Sequence, residues 1–439
     1  MIQPALEKLL SGEDLSRAEL EALTAEFRSG EVSASQLAAV AVGLYMKGMT
    51  REEGRAAARV MRTWDASGSP ENPASVNFWV SPGPLDGAIA FAMNGDDLSR
   101  LEAELAMENI LGGQVPEPQI AQFLAALRFK GETVDEVVGF ANAMRRHAPR
   151  IFPDGHPIAA EALVDTCGTG GDARGTFNIS TAAAFVVAGT GVRVAKHGNR
   201  SHSSLCGSAD VLEHFGVRIN IPPEMVARCI EQVGIGFLFA PAMHSATRHA
   251  SKVRHELKIR TVFNLLGPLT NPAGASTQVV GVYDPGVTEL MAQALGQLGV
   301  KRAFVVHGED GLDEISLSGE TYVSELHDGT VRNYSLVPED FGLKRAPLEA
   351  IRGGDKKQNA EIIHKIFGRS LLYREHTPYR DIVLANAAGA LVAAGRAANL
   401  REGVELAIQS IDAGAARAKL DALVAFSNDS AAGTQRLQR

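Results

Sequence analysis

Disulfide bridges, zinc sites and membrane spans have almost no raw material in this sequence. There are three cysteines, Cys167, Cys206 and Cys229, and so sparse and odd a set is no disulfide framework and fits a reducing cytosol. No Cys-x-x-Cys or Cys/His spacing of a zinc site occurs. No run approaches the roughly 18 apolar residues of a membrane helix; the longest candidates, such as Ala182 to Ala188, are core-sized. The opening MIQPALEKLLSGEDLS has acidic residues early and no long apolar stretch, so it does not read as a signal peptide. A surplus of positive charge is missing as well. The formal net charge is -8, which argues against a non-specific nucleic-acid binder, since that needs a basic face. These absences predict a cytoplasmic protein with neither membrane nor nucleic acid as partner. What is present is ordinary globular material, 45% apolar and 21% charged over 439 residues, enough for two or three domains.

The chain repeats itself. Shifted by 83 positions, residues 12–62 fall onto 95–145 without a gap. Gly12, Asp14, Leu15, Ser16 and Arg17 meet Gly95, Asp97, Leu98, Ser99 and Arg100; Lys47, Gly48, Thr50 and Glu53 meet Lys130, Gly131, Thr133 and Glu136; Met61 and Arg62 meet Met144 and Arg145. This agreement predicts a duplicated helical unit. Ser16 and Ser99 suit helix N-caps, Gly30 and Gly113 suit helix C-termini, and Thr50/Glu53 and Thr133/Glu136 have capping-box spacing. Residues 1–66 are expected to form an extra N-terminal copy, 67–84 a proline-rich linker, and 85–150 the second copy. From residue 158 to 425 the pattern becomes α/β. The β-rich runs ALVDTC, VRVAKHG, VRINI, TQVVGVY, KRAFVVHG and YVSEL alternate with helical stretches. That alternation predicts a mostly parallel central sheet flanked by helices. Residues 426–439 read as a frayed tail.

Four segments carry chemistry. The first, DTCGTGGDARGTFNIST, runs from a strand through Gly168, Gly170, Gly171 and Gly175 into a helix, with Asn178, Ser180 and Thr181 at its start. Glycines let backbone N–H groups approach an anion, and the helix start adds free donors and a positive dipole end, so this reads as a phosphate cradle. The bland alternative is a tight strand-to-helix turn. The loop is neither a Walker A nor a GxGxxG motif. The second, KHGNRSHSSLCGSAD, sets Lys196, His197 and Arg200 among Asn199, Ser201, Ser203, Ser204 and Ser208. Cations and hydroxyls together suit a polyphosphate; a solvated polar loop is the alternative. The third, VHGEDGLDEI, holds adjacent Asp313 and Glu314. Two carboxylates beside a phosphate site are costly without a cation, and Mg²⁺ held by carboxylates and substrate phosphates is the expected arrangement. Alone it would read as a surface turn. The fourth, Pro241 to Pro272, carries Arg248, Arg254 and Arg260 on a helical stretch before GPLTNP. An arginine fork can hold a carboxylate, but a charged helix face explains some of these residues equally well.

Taken together and in this order, CGTGGD, TFNIST, KHGNR with SS and GSAD, FNLLGPLTNP and HG-x-DGLDE resemble the anthranilate phosphoribosyltransferase family over about residues 85–424. The resemblance implies transfer of the phosphoribosyl group of 5-phosphoribosyl 1-pyrophosphate to the amine of anthranilate in tryptophan biosynthesis, with Mg²⁺ as cofactor and a homodimer as the assembly. It implies no acid or base residue, only positioning and electrostatics. Phosphoribosyl pyrophosphate is expected on Gly168, Gly170, Gly171, Asp172, Thr176, Asn178, Ser180, Thr181, Lys196 and Ser208, with Arg200, Ser203 and Ser204 nearby. Ser180, Asp313 and Glu314 match the metal positions; Gly168, Asn199, His244 and Arg254 match those for anthranilate. The chain departs from the family pattern at Ser245-Ala246-Thr247, Lys252 and Lys258, which alters the acceptor side and leaves open another aromatic acceptor or a nucleoside phosphorylase. A non-catalytic nucleic-acid-binding relative is the remaining alternative.

Overall fold

The structure is a computed structural model that describes residues 2–56, 83–153, 155–201, 205–368 and 377–429. It divides into two compact units, Met1–His147 with Ser245–Leu266, and Ala148–His244 with Gly267–Arg439.

The first unit is all helical. Helices α1 (Ile2–Leu10), α2 (Arg17–Ser29) and α3 (Ala34–Lys47) are followed by α4 (Asp86–Met93), α5 (Arg100–Leu111), α6 (Glu117–Lys130) and α7 (Val134–His147). Ser16 and Ser99 cap α2 and α5, each as a full capping box closed by Glu19 or Glu102. Two orphan donors are satisfied at each helix start by these boxes. Residues 245–266, which the sequence pattern leaves inside the α/β domain, belong to this helical unit. The expected linker, 67–84, lies outside the described residues apart from its last two positions.

In the second unit the order is β1 (Leu163–Gly168), α8 (Ile179–Gly189), β2 (Arg193–Gly198), α9 (Ser208–His214), α10 (Pro223–Gln232) and β3 (Ile235–Phe239). After α11 (Arg248–Leu257), which belongs to the helical unit, come β4 (Thr277–Gly281), α12 (Thr288–Gln297), β5 (Arg302–Gly308), β6 (Thr321–His327) and β7 (Thr330–Leu336). Helices α13 (Lys356–Phe367), α14 (Pro378–Ala393), α15 (Leu400–Asp412) and α16 (Ala415–Asn428) complete it. Among the described residues these strands form one sheet in the order β3-β2-β1-β4-β5-β6-β7. The first five are parallel, and β6 and β7 add an antiparallel hairpin. β1 is buried from Leu163 to Cys167 and β4 along its whole length, polar residues included, because both of their faces are covered. α8 and α14, rich in Ala and Val, pack on each other and on the sheet. Phe185 of α8 is fully buried and meets Phe367 edge-on, with ring centroids 6.2 Å apart. Burying one such ring contributes on the order of 1.5–3 kcal/mol.

Two expectations change. VRINI is not a strand: Val217, Ile219 and Ile221 alternate inward, but among the described residues the segment joins no strand ladder, and Pro222 and Pro223 start α10. The alternation is real, yet two prolines supply no ladder donors. α16 continues to Asn428, past residue 426, the expected start of the tail, and residues 430–439 lie outside the described residues.

The strand order carries the functional consequence. The chain builds outward from β1 to β3, then returns to lay β4 on β1's other side. In an open α/β sheet the crevice at such a switch, beyond the carboxyl ends of the strands, is where ligands bind.

Candidate active site

All three chemical loops of the α/β unit meet at that crevice. β1 ends at Gly168, opposite Gly281 of β4. The chain then turns through Gly170 and Gly171, with φ of 67° and 83°. A side chain would resist this left-handed region, and the turn brings backbone N–H groups to the strand end. The Gly170 N–H donates to Asp313 Oδ2 at 3.0 Å, and the Ser180 N–H, in the first turn of α8, donates to Glu314 Oε1 at 3.1 Å. Lys196 of β2 reaches across to donate to Thr166 O at 2.5 Å and to Ser180 Oγ at 3.3 Å. Lys196, Ser180 and Glu314 are thus consecutive links in one network.

The electrostatics favour a neighbouring positive charge. Burial, then the charges of Asp172 and Glu314, push the Asp313 carboxyl well above its usual range. Burial raises Glu314 to about 8 although Lys196 opposes it. Asp172 Oδ2 is buried with no hydrogen-bond partner among the described residues. Such crowded carboxylates cost free energy unless a cation offsets them. Among the described residues no cluster of three His, Cys, Asp or Glu side chains could hold a metal unaided. The donor set therefore fits Mg²⁺, which takes one or two carboxylates and completes its shell with phosphate and water oxygens.

The remaining residues fall into distinct environments. Thr181 Oγ1 is buried and has no partner among the described residues. Asn178 is held on both sides: it donates to Cys206 O at 3.1 Å and accepts from Asn359 Nδ2 at 3.0 Å. Thr176 bridges to Arg352 through the backbone. Ser208 opens α9 and donates to Asn199 O at 3.2 Å. Arg200 is engaged elsewhere, with Asp210 and both oxygens of Glu213. Ser203 and Ser204 lie outside the described residues.

On the acceptor side of the family pattern, His244 is buried and stands edge-on to His197, with ring centroids 5.1 Å apart. His197 Nδ1 donates to Gly267 O at 3.1 Å. Burial, then the charge of His197, pushes His244 down to about 3. The unfolded chain therefore binds a proton that the folded chain refuses as pH falls from the ordinary histidine range. The stabilisation is complete above pH 6.5 and is lost as pH falls toward the folded value. His244→Gln should flatten the acid limb of the stability profile by about 2 kcal/mol at about pH 5. Denaturant midpoints at neutral and acid pH measure this, and an unchanged limb would refute it. In the helical unit, Arg254 of α11 lies over the Phe263 ring at 4.9 Å. It is half-buried, and among the described residues no carboxylate pairs with it. At Lys252 α11 is an unbroken helix, and Lys258 caps it in the left-handed conformation, φ 54°.

Several positioning groups escape motif reading. Asp165, fully buried, accepts from the His197 N–H at 3.1 Å and from Asn271 Nδ2 at 2.8 Å, and Asn271 also donates to Ala195 O. This ties β1 to β2 beneath the site. Gly281 leaves no room for a side chain, because a Cβ there would lie 1.5 Å from Asp313 O. A glycine inside the TQVVGVY strand was the one available signal of such close approach.

Comparison with known proteins agrees with this geometry. The a/b domain of the glycosyl transferase family matches residues 160–417, and that family's helical bundle domain matches twice, at 3–64 and 88–148. An anthranilate phosphoribosyltransferase of Symbiobacterium thermophilum is 57% identical over 334 residues, covering 76% of this chain and 95% of the relative. The crystal structure of the anthranilate phosphoribosyltransferase from Thermus thermophilus superposes with a TM-score of 0.72 at 45% identity, covering 78% of this chain and 99% of that one. The Saccharomyces cerevisiae enzyme, solved in complex with phosphoribosyl pyrophosphate and Mg, gives 0.69 at 28% identity, covering 78% and 97%. The chain is a member of the glycosyl transferase family that joins a helical bundle to an a/b domain. Within it, the chain belongs with the anthranilate phosphoribosyltransferases.

Proposed function

We propose that this protein transfers the phosphoribosyl group of 5-phosphoribosyl 1-pyrophosphate to the amine of anthranilate, giving N-(5-phosphoribosyl)anthranilate and pyrophosphate. The observation that carries the reading is the network in which Lys196, Ser180 and Glu314 link to one another, beside the Gly170–Asp313 bond. Gly168, Gly170, Gly171, Asp172, Thr176, Asn178, Ser180, Thr181, Lys196 and Ser208 are assigned to the donor, with Arg200, Ser203 and Ser204 at its margin. Ser180, Asp313 and Glu314 would hold Mg²⁺, and the ion supplies charge compensation for the departing pyrophosphate.

At neutral pH the aromatic amine already bears a lone pair, so attack on the anomeric carbon needs no strong base. The bond from that carbon to the pyrophosphate oxygen breaks as the carbon–nitrogen bond forms, and the nitrogen then loses a proton to solvent. The protein's task is alignment and charge. Well-oriented reactants can lower a barrier by roughly 7–11 kcal/mol. Glycine N–H groups, the α8 start and Lys196 meet the donor's negative charge without reorganising. Gly168, Asn199, His244 and Arg254 are assigned to the acceptor. The guanidinium of Arg254, which no carboxylate among the described residues engages, suits the anthranilate carboxylate. Free, buried Cys167, Cys206 and Cys229 suit the reducing cytoplasm in which we expect the reaction to run.

Arg254→Ala should raise the KM for anthranilate by about 10- to 100-fold, the worth of a charged hydrogen bond, and leave that for the donor near its original value. Equal rises in both would remove Arg254 from the acceptor site. For the activity itself, anthranilate fluorescence should fall on adding donor and magnesium, with pyrophosphate released in equal amount. Constant fluorescence, or turnover with nucleoside and phosphate instead, would overturn the reading.

A further inference from the structure

The first helical repeat takes no part in the chemistry above, yet it is built to the second repeat's plan. Lys47 Nζ donates to Asp14 Oδ1 at 2.5 Å, Gly48 O at 3.2 Å and Glu53 Oε2 at 3.0 Å; Lys130 Nζ donates to Asp97 Oδ1 at 2.7 Å, Gly131 O at 2.8 Å and Glu136 Oε2 at 3.0 Å. The Leu15 N–H donates to Glu53 at 2.9 Å, and the Leu98 N–H to Glu136 at 3.0 Å. Helices α3 and α6 occupy the same place in the two repeats, and they pack on each other. Gly43 of α3 lies so close to Phe129 of α6 that a Cβ would come within 2.6 Å of its ring. Every residue of α6 from Gln119 to Leu127 is buried, Phe123 and Leu124 completely. A helix enclosed on all sides is an interior helix of a bundle.

Pairing of equivalent elements is what a two-fold interface does, presenting the same patch from both sides. Here both patches belong to one chain. The relatives are covered almost end to end by about three quarters of this chain, whereas the helical bundle domain matches this chain twice. A chain with one bundle lacks α3 to cover α6. The first repeat is also adapted to its seat. Gln36 and Gln119 are equivalent, but Gln119 serves its own repeat, donating to Asp86 at 2.7 Å and accepting from the Leu85 N–H at 3.3 Å. Gln36 instead donates to Glu256 O of α11 at 2.8 Å, and Ser33 Oγ donates to Glu256 Oε2 at 2.6 Å.

We infer that the first repeat takes the seat of a second protomer: the α6 face is a self-association surface covered by a tethered copy of itself, and the chain is a monomer. A tethered partner acts at an effective concentration on the order of millimolar, so it outcompetes a free second chain. This monomer replaces the homodimer that the family resemblance implies.

Sedimentation velocity decides it. The full chain should run at micromolar concentration as one species of 46.6 kDa; a dimer would overturn the inference. A chain beginning at Gly83 keeps everything the relatives share, and it should sediment at double its own mass. A folded monomer there would overturn the inference too. Should that chain precipitate, Gly43→Leu in the full chain, which wedges α3 off Phe129, should make the monomer self-associate. A folded Gly43→Leu chain that stays monomeric counts against the inference, and the full-chain mass decides even if both variants precipitate.

Discussion

Asp313→Asn combined with Glu314→Gln is expected to abolish turnover while leaving the fold intact. Losing one preorganised electrostatic contact typically costs about 10²–10³ in rate, so losing both should cost about 10⁴ or more. The carboxylates are not there for stability. Burial and the neighbouring charges of Asp172 and Glu314 raise Asp313, and burial raises Glu314 from the ordinary carboxylate range to about 8. A carboxyl raised on folding holds a proton that the unfolded chain releases. Its stabilisation is complete below the unfolded value and declines as pH rises toward about 8, by on the order of 1.4 kcal/mol per pH unit. The neutral double variant escapes that decline. Its Tm should exceed the parent's at about pH 9 and approach it at about pH 4, the order set by proton linkage. Magnesium with pyrophosphate should raise the parent's Tm and not the variant's. Retained turnover in saturating magnesium would remove both carboxylates from the metal role.

Much of this was legible in the sequence because glycine and charge are local signals. The CGTGGD turn, the KHGNR loop and the DE couple each stand directly after a strand, and a parallel sheet must bring strand ends to one edge. The repeat was legible because Glu53 and Glu136 each serve one buried backbone N–H and one lysine, so both copies keep the same residues. What stayed hidden depends on long-range packing. VRINI has a strand's alternation, but alternation reports burial on one face and not a hydrogen-bonded neighbour. β7, the edge strand, exposes most of its residues, so no apolar run marks it. Residues 245–266 join the helical unit through contacts that no local pattern encodes. Asp165 and Asn271 lie far apart in sequence, and only the chain's return from β3 to lay β4 beside β1 brings them together.

Gly281 is the sharpest example, and Gly281→Ala should cost much of the activity although it removes no functional group. The residue makes no contact with substrate in the proposed reaction. Its O accepts from the Thr169 N–H at 2.8 Å, and a Cβ would meet Asp313 O at 1.5 Å and Asp313 C at 2.4 Å. Neither obstacle is a flexible side chain. β4 is held on both sides by β1 and β5, so the strand cannot retreat and the acidic loop must move instead. Such overpacking costs about 1–3 kcal/mol of stability. The larger effect falls on the chemistry, because the Gly170–Asp313 bond at 3.0 Å cannot survive the shift. A displacement of about 1 Å in a positioned group can cost about 10²-fold in rate. The expected signature is a fall in kcat of that size with weakened magnesium dependence, while the KM for anthranilate holds. A Gly281→Ala chain with parental kcat would mean that the loop tolerates displacement, and that alignment of Asp313 is not what the β1–β4 crevice provides.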